Sequence, residues 1–130
     1  MITVKATREG LVGQKTASGW IIDTTTLFVA LPSVQALRRW IIITNPLNGK
    51  STKAEVLDIG PWNVNDDYYV FQHATNQPGS VATSTEIRPQ AETGTDLFNR
   101  PTNGAGIDLG EAVWNALGMT DNGNVSWEFV

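Results

Sequence analysis

Asp58 and Asp108 are the carboxylates of this sequence best placed to move a proton. Asp58 ends the apolar run Val56-Leu57-Asp58-Ile59 just before Gly60-Pro61. Partial burial at such a place disfavours the charged form and raises the pKa, which is what a general acid needs near neutral pH. The position equally suits a plainer task, an Asp that accepts hydrogen bonds from the turn behind it. Asp108 stands three residues before Glu111 at the head of an apolar-periodic stretch, which is capping-box spacing. As an N-cap its carboxylate would bond free backbone N–H groups, and that lowers a pKa. If both side chains reach one cavity, their surroundings separate them into a proton donor, Asp58, and a charged partner, Asp108. Two other signals are set aside. His73 with Asp66 and Asp67 matches no metal-ligand spacing, and Asn48-Gly49-Lys50-Ser51 lacks the upstream glycine of a phosphate loop. No metal or cofactor is expected.

The elements that must carry these residues are mostly strands. Runs rich in Val, Ile, Thr and Trp alternate with Gly, Pro and Asn at short intervals, the punctuation of an all-β domain. Arg39 to Thr44 reads as a strand, closed by Asn45-Pro46-Leu47-Asn48-Gly49, whose Asn-Gly pair supplies the positive φ of a hairpin turn. Ser51 to Ile59 should return antiparallel. Its apolar residues fall on both faces, Ala54 and Val56 on one and Leu57 and Ile59 on the other, so it is expected to be central. Val125 to Val130 alternates with Val125, Trp127 and Phe129 inward and reads as a closing strand. The best helix is predicted from Asp108, with Leu109, Ala112, Val113, Ala116 and Leu117 on one face and Gly118 as its C′ residue. A shorter turn is predicted from Ser33. Between Pro61 and Gly106 lies a long Asn/Thr/Gly/Pro-rich stretch without sustained period that nevertheless carries Trp62, Tyr68, Tyr69, Phe71 and Phe98. Loops this long are usually functional or disordered, and disorder alone rarely holds so many rings.

The 130 residues make one domain, large enough to bury a core without staples. With no cysteine there is neither a disulfide framework nor a thiolate metal site, and the redox compartment stays open. A net charge of −4 with nine scattered Lys and Arg excludes a phosphate-tracking surface, so nucleic acid is not the expected ligand. The start Met1-Ile2-Thr3-Val4-Lys5 lacks the apolar run of a signal peptide, and no stretch approaches the roughly 20 apolar residues of a membrane span. The chain is expected to be soluble, and either cytoplasmic or cut from an exported or larger protein.

Six fragments recur in a familiar order. They are Ala6-Thr7-Arg8-Glu9-Gly10, Thr16-Ala17-Ser18-Gly19, Ala30-Leu31-Pro32, Ile43-Thr44-Asn45-Pro46-Leu47-Asn48-Gly49-Lys50, Val56-Leu57-Asp58-Ile59-Gly60-Pro61 and Gly106-Ile107-Asp108-Leu109. In this order and spacing, followed by the alanine-bearing stretch that ends in Leu117-Gly118, the sequence resembles the rare lipoprotein A and expansin family over roughly residues 6 to 130, the long loop excepted. The resemblance implies a six-stranded double-psi β-barrel with one or two short helices, in which a groove across one face binds a polysaccharide. It also implies that Asp58 and Asp108 lie in that groove and that Thr7 is the first-strand threonine beside them. The family's histidine a few residues before Leu-Pro falls at Phe28 here, so its peptidoglycan-cleaving activity does not carry over whole.

With such a glycan as ligand, Trp62, Tyr68, Tyr69 and Phe71 could form a platform for the C–H faces of sugar rings, and Asn63, Asn65 or Asp66 could bond hydroxyls. The same rings could instead pin the long loop to the barrel. Trp62, beside the Gly60-Pro61 turn, is the ring expected nearest Asp58. A lytic transglycosylase fits the residues best among cleaving enzymes, because the sugar's own 6-hydroxyl attacks and one acid that then acts as base suffices, whereas hydrolases need a second carboxylate at a set distance. Two other outcomes stay open: an expansin-like module that grips glycan without cutting it, and a structural domain of a phage or secretion assembly. Oligomeric state is not legible in the sequence.

Overall fold

A computed structural model describes residues 1–71 and 88–130. Six strands close into a barrel, in the spatial order β1 (Ile2–Arg8), β5 (Ile107–Leu109), β2 (Phe28–Leu31), β4 (Ser51–Ile59), β3 (Trp40–Thr44) and β6 (Gly123–Phe129), with β6 returning to β1. The expected mainly β, six-stranded barrel with few helices is what forms. Pairs β1–β5 and β2–β4 are parallel and the other four antiparallel. Two short helices, α1 (Asp67–Phe71) and α2 (Glu111–Ala116), complete it. Among the described residues no helix is long and apolar enough to cross a membrane.

The β3–β4 hairpin forms where the turn chemistry places it. Asn45 N–H donates to the Lys50 carbonyl at 2.8 Å, Gly49 N–H to the Asn45 carbonyl at 2.8 Å, and Gly49 takes φ +74. The side chains of Asn45 and Asn48 also donate to the Leu117 carbonyl at the end of α2, so the turn satisfies a carbonyl that the helix leaves free. Gly118 has φ +63, and Met119 N–H and Gly118 N–H return to the carbonyls of Trp114 and Asn115, a Schellman ending at the predicted C′ glycine. The short turn predicted from Ser33 is present as a 3-10 turn at Val34–Ala36.

The start of that helix differs from expectation. Asp108 is the middle of β5, hydrogen-bonded between β1 and β2, and α2 begins at Glu111 with Gly110 as its N-cap and no side-chain cap. Ile107 and Leu109 are both fully buried, which suits a strand alternating inward around an outward Asp108. The apparent capping box is absent because Glu111 faces Arg8 in a two-pronged ion pair, at 2.5 and 2.6 Å.

The barrel interior holds Val4, Ala6, Val29, Leu31, Ile41, Ile43, Val56 and Leu109, closed by Val125 and Trp127 from β6. Trp127 is fully buried edge-on to both Tyr69 and Phe129, and its Nε1–H donates to the Tyr69 hydroxyl at 2.9 Å. That hydroxyl in turn donates to the Gly106 carbonyl at 2.9 Å. Tyr69, expected to touch sugar, is therefore a core residue that spends both faces of its hydroxyl inside the protein.

The described parts of the stretch from Pro61 to Gly106 contain α1 and a 3-10 turn at Gln90–Thr93 and are pinned by buried polar groups. Asp66 accepts the Gln90 N–H at 2.7 Å, Asn63 accepts the Leu97 N–H at 3.0 Å, and Asp67 accepts the Ser33 hydroxyl. Asp66 is buried, so it cannot serve as the hydroxyl partner of a ligand; it anchors the loop. Phe71 is likewise buried, stacked on Phe129. His73 lies outside the described residues.

Candidate functional site

One row of residues crosses four adjacent strands on the outer face of the barrel. Thr7 on β1 is paired with Asp108 on β5, Asp108 with Ala30 on β2, and Ala30 with Asp58 on β4. Cross-strand partners share a face, so the aspartates flank Ala30 on one side of the sheet. A bulge makes this possible. The β2–β4 register shifts between Val29 and Ala30, so Val29 faces Val56 while Ala30 faces Asp58, leaving Leu57 as the extra residue. Strict alternation from Val56 would have turned Asp58 inward with Ala54; the bulge re-aims it outward.

An open groove of about 470 Å³ runs beside this row, lined among others by Thr7, Glu9, Leu11, Trp62, Asn103 and Asp108. Asp108 accepts the Thr7 hydroxyl on Oδ1, and its Oδ2 lies close to Gly60, where a Cβ would come within 3.9 Å. Gly60 has φ +142, a conformation that favours glycine. Burial pushes the Asp108 carboxyl up to about 6, the Thr7 hydrogen bond opposing and the Asp58 charge adding to it. This reverses the sequence-based expectation of a capped, acid-shifted Asp108.

Asp58 converges on the same cluster but is not among the residues that line the groove. Its Oδ1 accepts the backbone N–H groups of Ala17 and Ile59, each at 2.9 Å. That oxygen is occupied as an acceptor, which is the turn-bonding role that the sequence also offered. The neighbour of Asp58 that does line the groove is Glu9. Its backbone N–H extends the β1–β5 pairing by donating to the Leu109 carbonyl at 2.8 Å. Burial first, then a hydrogen bond to Asp58 and the charges of Asp58 and Asp108, push the Glu9 carboxyl up to about 9. Its Oε2 is buried without an N–H or O–H donor. A proton on Glu9 relieves both the buried charge and the repulsion from Asp58 and Asp108. Glu9 was missed in the sequence because, beside Arg8 and Gly10, it reads as a solvated strand end.

Trp62 is 38% exposed on the groove rim, with Nε1–H donating to Asn103 Oδ1 at 3.0 Å and φ at +69. A bulky residue held in that region costs on the order of 1–3 kcal/mol and is found where surrounding structure demands it. Tyr68 is half-buried and does not line the groove. Thus Thr7, Trp62 and Asp108 meet at the groove, Asp58 stands one layer behind, and Tyr68, Tyr69 and Asp66 lie elsewhere. Phe28 is fully buried, edge-on to Trp20 at 4.8 Å, and a Cβ on Gly110 would strike its ring.

Among the described residues, three raised carboxyls bear on the pH dependence of stability. Glu9, Asp66 and Asp108 are raised to about 9, 7 and 6, from ordinary values of 4.5, 3.8 and 3.8. The stability their retained protons contribute is complete below the ordinary values and lost as pH rises through the folded ones. Asp23, Asp96 and Glu111 are lowered, mainly by hydrogen bonds and the Arg100 and Arg8 partners, so their contribution is lost in acid. Tm is therefore expected to peak in mild acid and to fall by on the order of 5–10 °C by pH 9, read by thermal melts across pH.

The family described as a domain of unknown function (DUF8814) matches residues 1–128. No curated protein matches the sequence.

Proposed function

The chain belongs to the DUF8814 domain family, and from its groove we propose that it is a polysaccharide-active barrel that cleaves a peptidoglycan-type β-1,4-glycan by acid–base chemistry on Asp108. The observation that carries the reading is the position of Asp108: half-buried in an open groove, held by Thr7, facing Asp58 across one strand, with a tryptophan on the rim. A carboxyl raised to about 6 exchanges protons readily near neutrality. The barrel and the Thr7–Asp108–Asp58 row also support the resemblance to the rare lipoprotein A and expansin family, whose groove takes glycan. In a lytic step the bridging oxygen takes a proton as its bond to C1 breaks. The 6-hydroxyl of the same sugar bonds to C1 and gives up its own proton, so one proton enters and one leaves.

A second reading is favoured by Phe28. With packing in place of the family's histidine, the groove would grip glycan without cutting it.

Purified protein incubated with peptidoglycan sacculi, chitin and cellulose separates these. Anhydro-muropeptides detected by mass spectrometry support cleavage, pull-down without products supports the binding module, and neither result removes both. Trp62→Ala is expected to weaken pull-down by roughly tenfold, since aromatic faces contribute on the order of 1 kcal/mol or more to such contacts. Unchanged pull-down would take Trp62 out of the site.

A further inference from the structure

We propose that Glu9 is the proton donor of this groove and Asp108 its base, with Asp58 the residue that positions Glu9. The assignment rests on the glycan-cleaving reading above and divides its proton transfers between two groups. Glu9 lines the groove, has Asp58 and Asp108 as its charged neighbours, and buries Oε2 without a hydrogen-bond partner. An ionised carboxylate in that place would leave a desolvated charge unsatisfied, whereas a protonated one does not. The titratable groups facing it are Asp58 on β4 and Asp108 on β5, both acidic. The cations of β1 are engaged elsewhere: Arg8 grips Glu111, and Lys5 donates to the Asn103 carbonyl at 2.8 Å.

Glu9 at about 9 and Asp108 at about 6 leave a window in which the first is protonated and the second ionised. Neighbouring carboxyls driven apart in this way make an acid and a base available at once. Glu9 gives its proton to the bridging oxygen as the C1–oxygen bond breaks, and the Asp108 carboxylate takes the proton of the 6-hydroxyl as its oxygen bonds to C1. The total charge of the two carboxyls is unchanged, and exchange with solvent returns the proton to Glu9. Glu9 lines the groove and Asp58 does not, and two backbone N–H groups hold Asp58 Oδ1, so Glu9 is the one of the pair that reaches the ligand.

Wild-type cleavage is expected to be bell-shaped in pH, with limbs at about 6 and about 9. Glu9→Gln should lower cleavage about 100-fold or more and abolish the upper limb. Asp58→Asn removes the charge and the acceptor that hold the proton on Glu9, so the upper limb should move to lower pH. NMR of protein carrying ¹³C-labelled glutamate reads the Glu9 carboxyl without any glycan, and it should remain protonated at neutral pH. Titration of Glu9 near its ordinary 4.5 overturns the assignment, as does Glu9→Gln that cleaves like wild type or keeps the upper limb. A wild type that cleaves no glycan removes the reading beneath it; an active wild type with an unimpaired Glu9→Gln removes this assignment alone.

Discussion

Asp108→Asn should abolish glycan cleavage while leaving the protein folded and, above neutral pH, more heat-stable. The substitution keeps the size of the side chain and an oxygen for the Thr7 hydroxyl, but removes the carboxyl that exchanges protons. Loss of a general acid or base typically costs 10²–10⁴-fold in rate, about 3–5 kcal/mol of barrier. Stability moves the other way. The native Asp108 carboxylate is desolvated and repelled by Asp58, the causes that raise it to about 6. Above that pH the fold sustains an unfavourable charge that an amide lacks. Product analysis and thermal melts at pH 8 read the two effects together. Retained cleavage in a folded variant refutes the role of Asp108, and a lower Tm at pH 8 refutes the account of its strain.

Trp127→Ala should destabilise the barrel more than any of the groove substitutions. The ring is fully buried, meets Tyr69 and Phe129 edge-on, and donates to the Tyr69 hydroxyl. Truncating a buried Trp costs about 3–5 kcal/mol from lost contacts and the cavity left behind. Against a total of about 5–15 kcal/mol for an ordinary domain, Tm should fall by about 10 °C or more. Trp127→Phe, which keeps most of the ring area and loses only the N–H, should cost far less. Equal losses in the two variants would mean that the hydrogen bond, rather than the packing, holds that end of the barrel closed.

Part of the site lay open in the sequence because local chemistry dictates it. The hairpin between Thr44 and Ser51 follows from Asn and Gly at the turn, and the closing strand from the alternation of Val125, Trp127 and Phe129. Gly118 marks the end of α2 because only a residue tolerant of positive φ ends a helix that way. Thr7 and Asp108 were reachable through the order of the fragments that carry them, and Trp62 through its place beside the Gly60-Pro61 turn.

What local patterns could not contain is which groups meet across the barrel. Asp108 has the spacing of a cap, yet pairing with two strands outweighs a helix start, since a strand with partners on both sides satisfies its backbone completely. Asp58 points outward only because one extra residue, Leu57, interrupts the β2–β4 register, and no alternation in the sequence announces a bulge. Tyr69 and Asp66 look like ligand contacts in a polar stretch but are drawn inside by Trp127, Gly106 and Gln90. Composition and turn chemistry, acting between near neighbours, determined the strands and the all-β class, while the barrel was implied only by the order of the matching fragments. The proton carried by Glu9 depends on desolvation and on charges some 50 to 100 positions away in the chain, and closure of the barrel alone brings those together.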